Sequence, residues 1–276
     1  MTTIRVPHAD DERLKAFTGL TNHQLRNKLD PARGLLVAES EIAIRVALEE
    51  GVEPIAFLLD ERKLKAMEDV LANVSEDVPV YVLDSEEVER LTGYRVTRGA
   101  LCAMRRPMSP NVEDLCSQAR RLLVLEGMTD ASNVGAAFRN AAALGADGVL
   151  VAPSCADPLC RRAVRVSMGN VFRVPWAHGA YPWPTELMDV LAEQGYVRIA
   201  LALREDAMSL SDVASLTENV RKVALFLGAE GHGLSQKTIE MCDATAIIPM
   251  ARGVDSLNVA AAGAVAMWEL FGKRAN

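Results

Sequence analysis

The stretch Val223-Ala-Leu-Phe-Leu227-Gly228-Ala-Glu230-Gly231-His232-Gly233-Leu-Ser235 joins five apolar residues to a glycine-rich loop. An uninterrupted apolar run of that length, closed by glycine, predicts a strand buried on both faces. Gly228, Gly231 and Gly233 let backbone approach a ligand closely and adopt positive φ. Outward from this stretch, similar strands are expected at Leu122–Leu125, Gly148–Val151, Val197–Leu203 and Thr245–Ile248, with helical patterns between them. A final helix is expected from Ser256 to about Phe271, with Ser256 as its N-cap. Buried strands alternating with helices specify an α/β fold, a parallel sheet covered on both faces. Ligand sites on such sheets form in loops beyond the carboxyl ends of the strands.

Two further loops follow predicted strands. One runs Glu126-Gly-Met-Thr-Asp-Ala-Ser-Asn133-Val-Gly135-Ala-Ala-Phe-Arg139-Asn140. The other runs Pro249-Met-Ala-Arg252-Gly253-Val-Asp255-Ser256-Leu257-Asn258. Each gathers amide, hydroxyl or charged side chains at a strand end. A dinucleotide-dependent oxidoreductase is the rival explanation of the glycines. However, their order is G-x-x-G-x-G, near the end of the sequence, whereas the dinucleotide fingerprint is G-x-G-x-x-G and opens its fold.

With 276 residues, two domains are expected. Residues 1–33 read as a polar extension packed on the body, helical around Asp11–Leu29. Residues 34–111 read as a small α/β domain with strands at Leu35–Ala38, Ile55–Leu59, Val80–Leu83 and Leu101–Met104. Helices are expected at Glu41–Glu50 and Glu61–Ala72, and Asp84-Ser-Glu-Glu87 has the form of a capping box opening another. Arg105-Arg-Pro-Met-Ser-Pro-Asn111 is the linker, because two close prolines do not fit a regular element. Residues 112–276 form the domain that carries the three loops.

Half the residues are hydrophobic and 24% charged, an ordinary globular composition. The apolar stretch Val259–Trp268 is about half of the roughly 20 residues that span a bilayer, so no membrane segment is expected. Met1–Asp11 lacks an apolar signal region, which points to a cytoplasmic protein. The five cysteines, 102, 116, 155, 160 and 242, include no CxxC pair and read as buried reduced thiols. The four histidines lack metal-ligand spacing, so no metal is expected. Net charge is −7, yet arginines cluster at 105–106, 120–121 and 161–173, and local clusters rather than net charge govern phosphate contacts.

Taken together, the three loops resemble the three motifs of the SpoU-type (TrmH-like) RNA 2′-O-ribose methyltransferases of the SPOUT superfamily. Asn133-x-Gly135-x-x-x-Arg139 is similar to the first motif and Gly228-x-Glu230-Gly231-x-Gly233 to the second. Ile248-Pro249-Met250 through Ser256-Leu257-Asn258 is similar to the third. Ala163-Val-Arg165-Val-Ser167-Met-Gly169 with Phe172-Arg173-Val-Pro175 resembles the segment between the first two motifs. The likeness covers roughly residues 118–272. Leu36–Leu48 and Arg98-Gly99-Ala-Leu-Cys-Ala103 resemble the small ribosomal-protein-like domain that often precedes it. Two departures stand out: Asp130-Ala-Ser132 where Asp-Pro is common, and Ala229 where asparagine is common.

The resemblance implies a trefoil knot in the C-terminal domain, a homodimer, and S-adenosyl-L-methionine as methyl donor to a ribose 2′-hydroxyl of ribosomal or transfer RNA. It implies Gly228, Ile248 and Leu257 as cofactor contacts, and Asn133, Arg139, Glu230, Ser256 and Asn258 as the catalytic set. The family's mechanism makes Arg139 a general base. A guanidinium is in effect always protonated, which favours a phosphate-gripping Arg139, with Glu230 as the alternative proton acceptor. A non-catalytic RNA-binding protein on the same fold is the second functional alternative, and intact Arg139, Glu230 and Asn258 weigh against it.

Overall fold

The computed structural model describes residues 3–17, 34–92, 99–251 and 256–272. The chain divides into two compact units, one of Met1–Met108 with Leu159–Arg173 and one of Ser109–Pro158 with Val174–Asn276. Leu159–Arg173, which the sequence places within the C-terminal domain, thus packs in the first unit.

The first unit is built on β1 (Thr3–Arg5), β2 (Leu35–Glu39), β3 (Pro54–Asp60), β4 (Val80–Leu83) and β5 (Ala100–Arg105), in the order β1-β4-β3-β5-β2. β1 and β3 run parallel to β4, and β5 runs antiparallel to β2 and β3. The amino-terminal segment is more than an extension. β1 adds a strand, and Val6, Leu14 and Phe17 enter the core beside Val37, Leu58 and Leu101. Of the helix expected over Asp11–Leu29, the described residues hold a 3-10 turn at Glu12–Leu14, and the rest of that expectation, from residue 18, lies outside the described residues. The capping box forms by one arm: Glu87 N donates to Asp84 Oδ1 at 2.9 Å. Its other arm turns outward, the Glu87 carboxylate accepting from Ala9 N at 2.5 Å and tying down the amino-terminal segment.

Glu39, at the end of β2, is buried and accepts from Arg161 Nε at 2.8 Å and Arg165 Nη1 at 3.0 Å. Gly169, at φ +80°, lies so close to the helix Glu41–Glu49 that a Cβ there would come within 2.8 Å of Val46 Cβ. These contacts explain the Arg161–Gly169 pattern as packing, with a buried carboxylate matched to two guanidinium groups.

The second unit is a sheet of seven parallel strands among the described residues: β6 (Arg121–Leu125), β7 (Gly148–Val151), β8 (Trp176–His178), β9 (Val197–Leu201), β10 (Met208–Ser209), β11 (Val223–Leu227) and β12 (Ala244–Ile247). Their order is β10-β12-β9-β11-β6-β7-β8, and all pairings are parallel. All five β11 residues are buried, and Phe226, Val124, Leu150 and Ala200 share one core cluster. Each large side chain so buried stabilises by about 1.5–3 kcal/mol. From β6 the chain winds outward to β7 and β8, while β11 leads the other way to β12. The topological switch point therefore lies between β6 and β11, where open α/β sheets form their ligand crevice.

Candidate active site

The three loops meet at the carboxyl edge around that switch point. The helix Ala131–Leu144 follows β6 and is capped by Asp130, whose side chain accepts from Ser132 N at 2.8 Å. Ala131 thus takes the first helical position, whose N–H has no intrahelical partner, so alanine can replace the family's proline without disturbing the cap.

After β11, the glycine loop closes on itself by paired backbone bonds, Ala229 N to Gly233 O at 3.1 Å and Gly233 N to Ala229 O at 2.9 Å. Gly231 and Gly233 turn it with φ of +83° and +68°. A Cβ on Gly228 would lie 2.1 Å from the Gly233 carbonyl carbon and 2.2 Å from Leu234 N. The space that Gly228 leaves is filled by its own loop.

The last helix is Val259–Leu270, and its N-cap is Asn258, not Ser256. Asn258 Oδ1 accepts from Ala260 N at 3.0 Å and Ala261 N at 3.3 Å. Its Nδ2 donates to Asn133 Oδ1 at 3.1 Å and to Glu230 Oε1 at 2.5 Å. One amide therefore caps a helix and joins the three loops, with Asn140 Nδ2 to Ala260 O at 2.8 Å bracing the same two helices. A Cβ on Gly263 would meet Leu227 Cδ1 at 2.6 Å, so the helix rests close against β11.

Beside this junction is a cavity of about 600 Å³ lined by Gly228, Ile248, Ser256, Leu257, Glu230 and Asn258, with Leu201, Leu227 and Ile247 among its apolar walls. Arg139 stands apart from it, exposed on its helix and without a hydrogen-bond or ion-pair partner among the described residues. Arg252, Gly253 and Asp255 lie outside the described residues.

Glu126 at the end of β6 went unnoticed in the sequence. It is buried, and accepts from Ser235 N at 2.6 Å, from Trp183 Nε1 at 2.7 Å and from the Thr238 hydroxyl. A charged residue ending an apolar strand, with serine and threonine after the glycine loop, was the available signal. Cys155 lies nearby, its Sγ 3.3 Å from Leu125 O, and burial pushes its thiol up to about 11, which keeps it protonated and non-nucleophilic. All five cysteines are free.

The arginine clusters fare differently from one another. Arg161 and Arg165 serve Glu39, Arg173 pairs with Glu49 at 2.8 Å, and Arg105 pairs with Glu53 at 2.8 Å. At these positions the arginines of 161–173 are engaged by carboxylates within the first unit, one carboxylate serving both Arg161 and Arg165, while Arg162 is exposed. Arg120 and Arg121 sit at the amino end of β6, opposite the cavity.

A parallel α/β sheet with amide, carboxylate and glycine loops converging at its switch point defines an α/β protein with a ligand crevice at that point. The chain belongs to the SpoU rRNA methylase family, whose model matches residues 120–268. An uncharacterized tRNA/rRNA methyltransferase of Mycobacterium tuberculosis is 40% identical over 260 residues, 94% of this chain and 88% of that protein. The 23S rRNA (guanosine-2′-O-)-methyltransferase RlmB of Vibrio cholerae is 34% identical over 59% of this chain and 64% of its own length. In fold, the chain is similar to the AdoMet-bound rRNA methyltransferase of Sinorhizobium meliloti, with a TM-score of 0.80, 20% identity and 99% of each chain covered. It is also similar to the SpoU methyltransferase AviRb of Streptomyces viridochromogenes in complex with AdoMet, with a TM-score of 0.78, 23% identity, and 96% and 99% covered.

Proposed function

We propose that this protein transfers a methyl group from S-adenosyl-L-methionine to a ribose 2′-hydroxyl of ribosomal or transfer RNA. The observation that carries the reading is the junction of Asn133, Glu230 and Asn258 beside a largely apolar cavity with a glycine-loop wall. The cavity's volume and its mixture of aliphatic walls and backbone edges fit a nucleoside joined to an amino acid. When bound, the cofactor supplies a sulfonium methyl, an electrophile that needs no metal. Gly228, Ile248 and Leu257 would hold it through backbone and apolar contacts. Glu230, fixed by Asn258, would take the hydroxyl proton, and Ser256, which lines the cavity, would orient the ribose or cofactor. Protonated Arg139 is free to grip an RNA phosphate in two-pronged fashion.

The RlmB relative supports ribose as acceptor, and the first unit, which holds most of the small domain expected at residues 34–111, would select the RNA. We also infer the family's trefoil knot and a cytoplasmic location; among the described residues no helix is long and apolar enough to cross a membrane. No metal enters this mechanism.

The test is calorimetry in chelator, where S-adenosylmethionine should bind, followed by nucleoside analysis of RNA from cells lacking the gene. Loss of one 2′-O-methylnucleoside is expected; loss of a base-methylated nucleoside instead would overturn the ribose assignment.

A homodimer is proposed through the outer face of the last helix, where Val265 and Trp268 are 43% and 59% exposed and Ala261 lies on the same stripe. The occupant proposed is a second copy of this chain, as the family resemblance implies. Trp268→Glu should convert a dimer into a monomer in sedimentation velocity while the fold is kept. A variant that sediments like wild type removes this face from the interface.

A further inference from the structure

We propose that Tyr181 is a stacking platform for an unpaired nucleobase of the substrate RNA; the proposal rests on RNA being the substrate. Tyr181 follows β8 in the segment Gly179-Ala-Tyr-Pro-Trp-Pro184, at the carboxyl edge that also carries the cavity. Tyr181 is 73% exposed, more than any other Phe, Tyr or Trp among the described residues, so packing does not account for it.

The segment beneath it is held firmly. The Trp183 ring lies against Gly179, where an added Cβ would come within 2.4 Å of the ring. The Trp183 indole donates to buried Glu126, and the same carboxylate accepts from Ser235 N directly beyond the glycine loop. One buried group therefore positions both the loop that presents Tyr181 and the loop that lines the cavity. An exposed aromatic ring on a loop anchored through its neighbour Trp183 suits stacking, because every base offers a π-face to it.

The charge nearby is consistent with a nucleic acid without making charge the main term. Lys237 Nζ donates to Thr185 Oγ1 at 2.7 Å, four residues beyond Tyr181, and has no carboxylate partner among the described residues. Glu186 is exposed beside Thr185, so this cation is partly offset and stacking must supply most of the contact. Unpaired bases stack on aromatic side chains with little regard to sequence.

The experiment compares the full-length wild type with Tyr181→Ala and Tyr181→Phe. Binding of a labelled single-stranded RNA is followed by fluorescence anisotropy, methyl transfer by rate against RNA concentration, and S-adenosylmethionine affinity by calorimetry. Tyr181→Ala should weaken RNA binding and raise the half-saturating RNA concentration about tenfold. Tyr181→Phe should stay within about twofold, and both variants should keep wild-type cofactor affinity and melting temperature. Preference for single-stranded over duplex RNA should fall in the alanine variant, with its salt dependence unaltered. Wild-type RNA binding by Tyr181→Ala overturns the proposal, as does a phenylalanine variant as poor as alanine, which would make the hydroxyl the contact. A changed sedimentation coefficient would make Tyr181 a subunit contact instead. Tyr181-dependent RNA binding without methyl transfer by the wild type would sink the functional reading and leave this proposal standing.

Discussion

Gly228→Ala is expected to abolish measurable S-adenosylmethionine binding and to lower the melting temperature, and Gly228→Val to do more of both. The sequence suggests that Gly228 is small so that a ligand can approach. The structure gives a different reason, since a Cβ would sit 2.1 Å from the Gly233 carbonyl carbon and 2.2 Å from Leu234 N. Those atoms are backbone, and the paired bonds between Ala229 and Gly233 fix them. Even one methyl must therefore open the loop that forms the cavity wall. Overpacking of this kind costs about 1–3 kcal/mol, occasionally more, and in a chain of this size each kcal/mol moves the melting temperature by roughly 2–4 °C. The two accounts part at alanine. If ligand space were the only constraint, the apo protein would melt as wild type does. Calorimetry and thermal melts of both variants decide it, and an alanine variant with wild-type affinity and melting temperature would refute the loop-packing account.

The long buried strands were legible because continuous apolar runs such as Val223–Leu227 have few other uses. β8 and β1 were not. Trp176-Ala-His178 and Thr3-Ile-Arg5 are three residues each, too short for any period to show, and they are strands only because β7 and β4 offer them a ladder. The last helix was placed three residues early because Ser256 and Asn258 are both good caps. Asn258 prevails because its amide accepts from the helix while donating to Asn133 and Glu230, which a serine hydroxyl could not do for both. The arginines at 161 and 165 looked available for phosphate because their partner, Glu39, lies more than a hundred residues away in sequence. Charge clusters are visible in a sequence, whereas their neutralisation is a tertiary fact. Glu126 was missed for the same reason, since its three donors come from segments remote in sequence and only the folded sheet brings them to one carboxylate.

Arg139→Ala should reduce methyl transfer by at least about a hundredfold, the scale on which lost alignment of reacting groups is felt, while leaving cofactor binding nearly intact. Arg139 lies outside the cavity lining and is exposed with no partner among the described residues, so its removal leaves no buried group unsatisfied and should barely change stability. Arg139→Lys then separates two chemistries. If Arg139 positions the RNA by a planar two-pronged grip on phosphate, lysine keeps the charge but not the geometry, and little activity returns. If Arg139 instead removes the hydroxyl proton, it must first lose its own, which a guanidinium gives up only at great cost. Lysine starts near 10.4 and is depressed more easily, so a base at this position would be improved by the exchange. Glu230, held by Asn258 at 2.5 Å, gives the positioning account a proton acceptor of its own. Single-turnover rates of both variants against pH distinguish the cases. Under positioning, the lysine variant is slow at every pH and follows the wild-type profile. A lysine variant as fast as wild type, with a rate rising through a new pKa, would return the proton to residue 139 and end the phosphate-grip account.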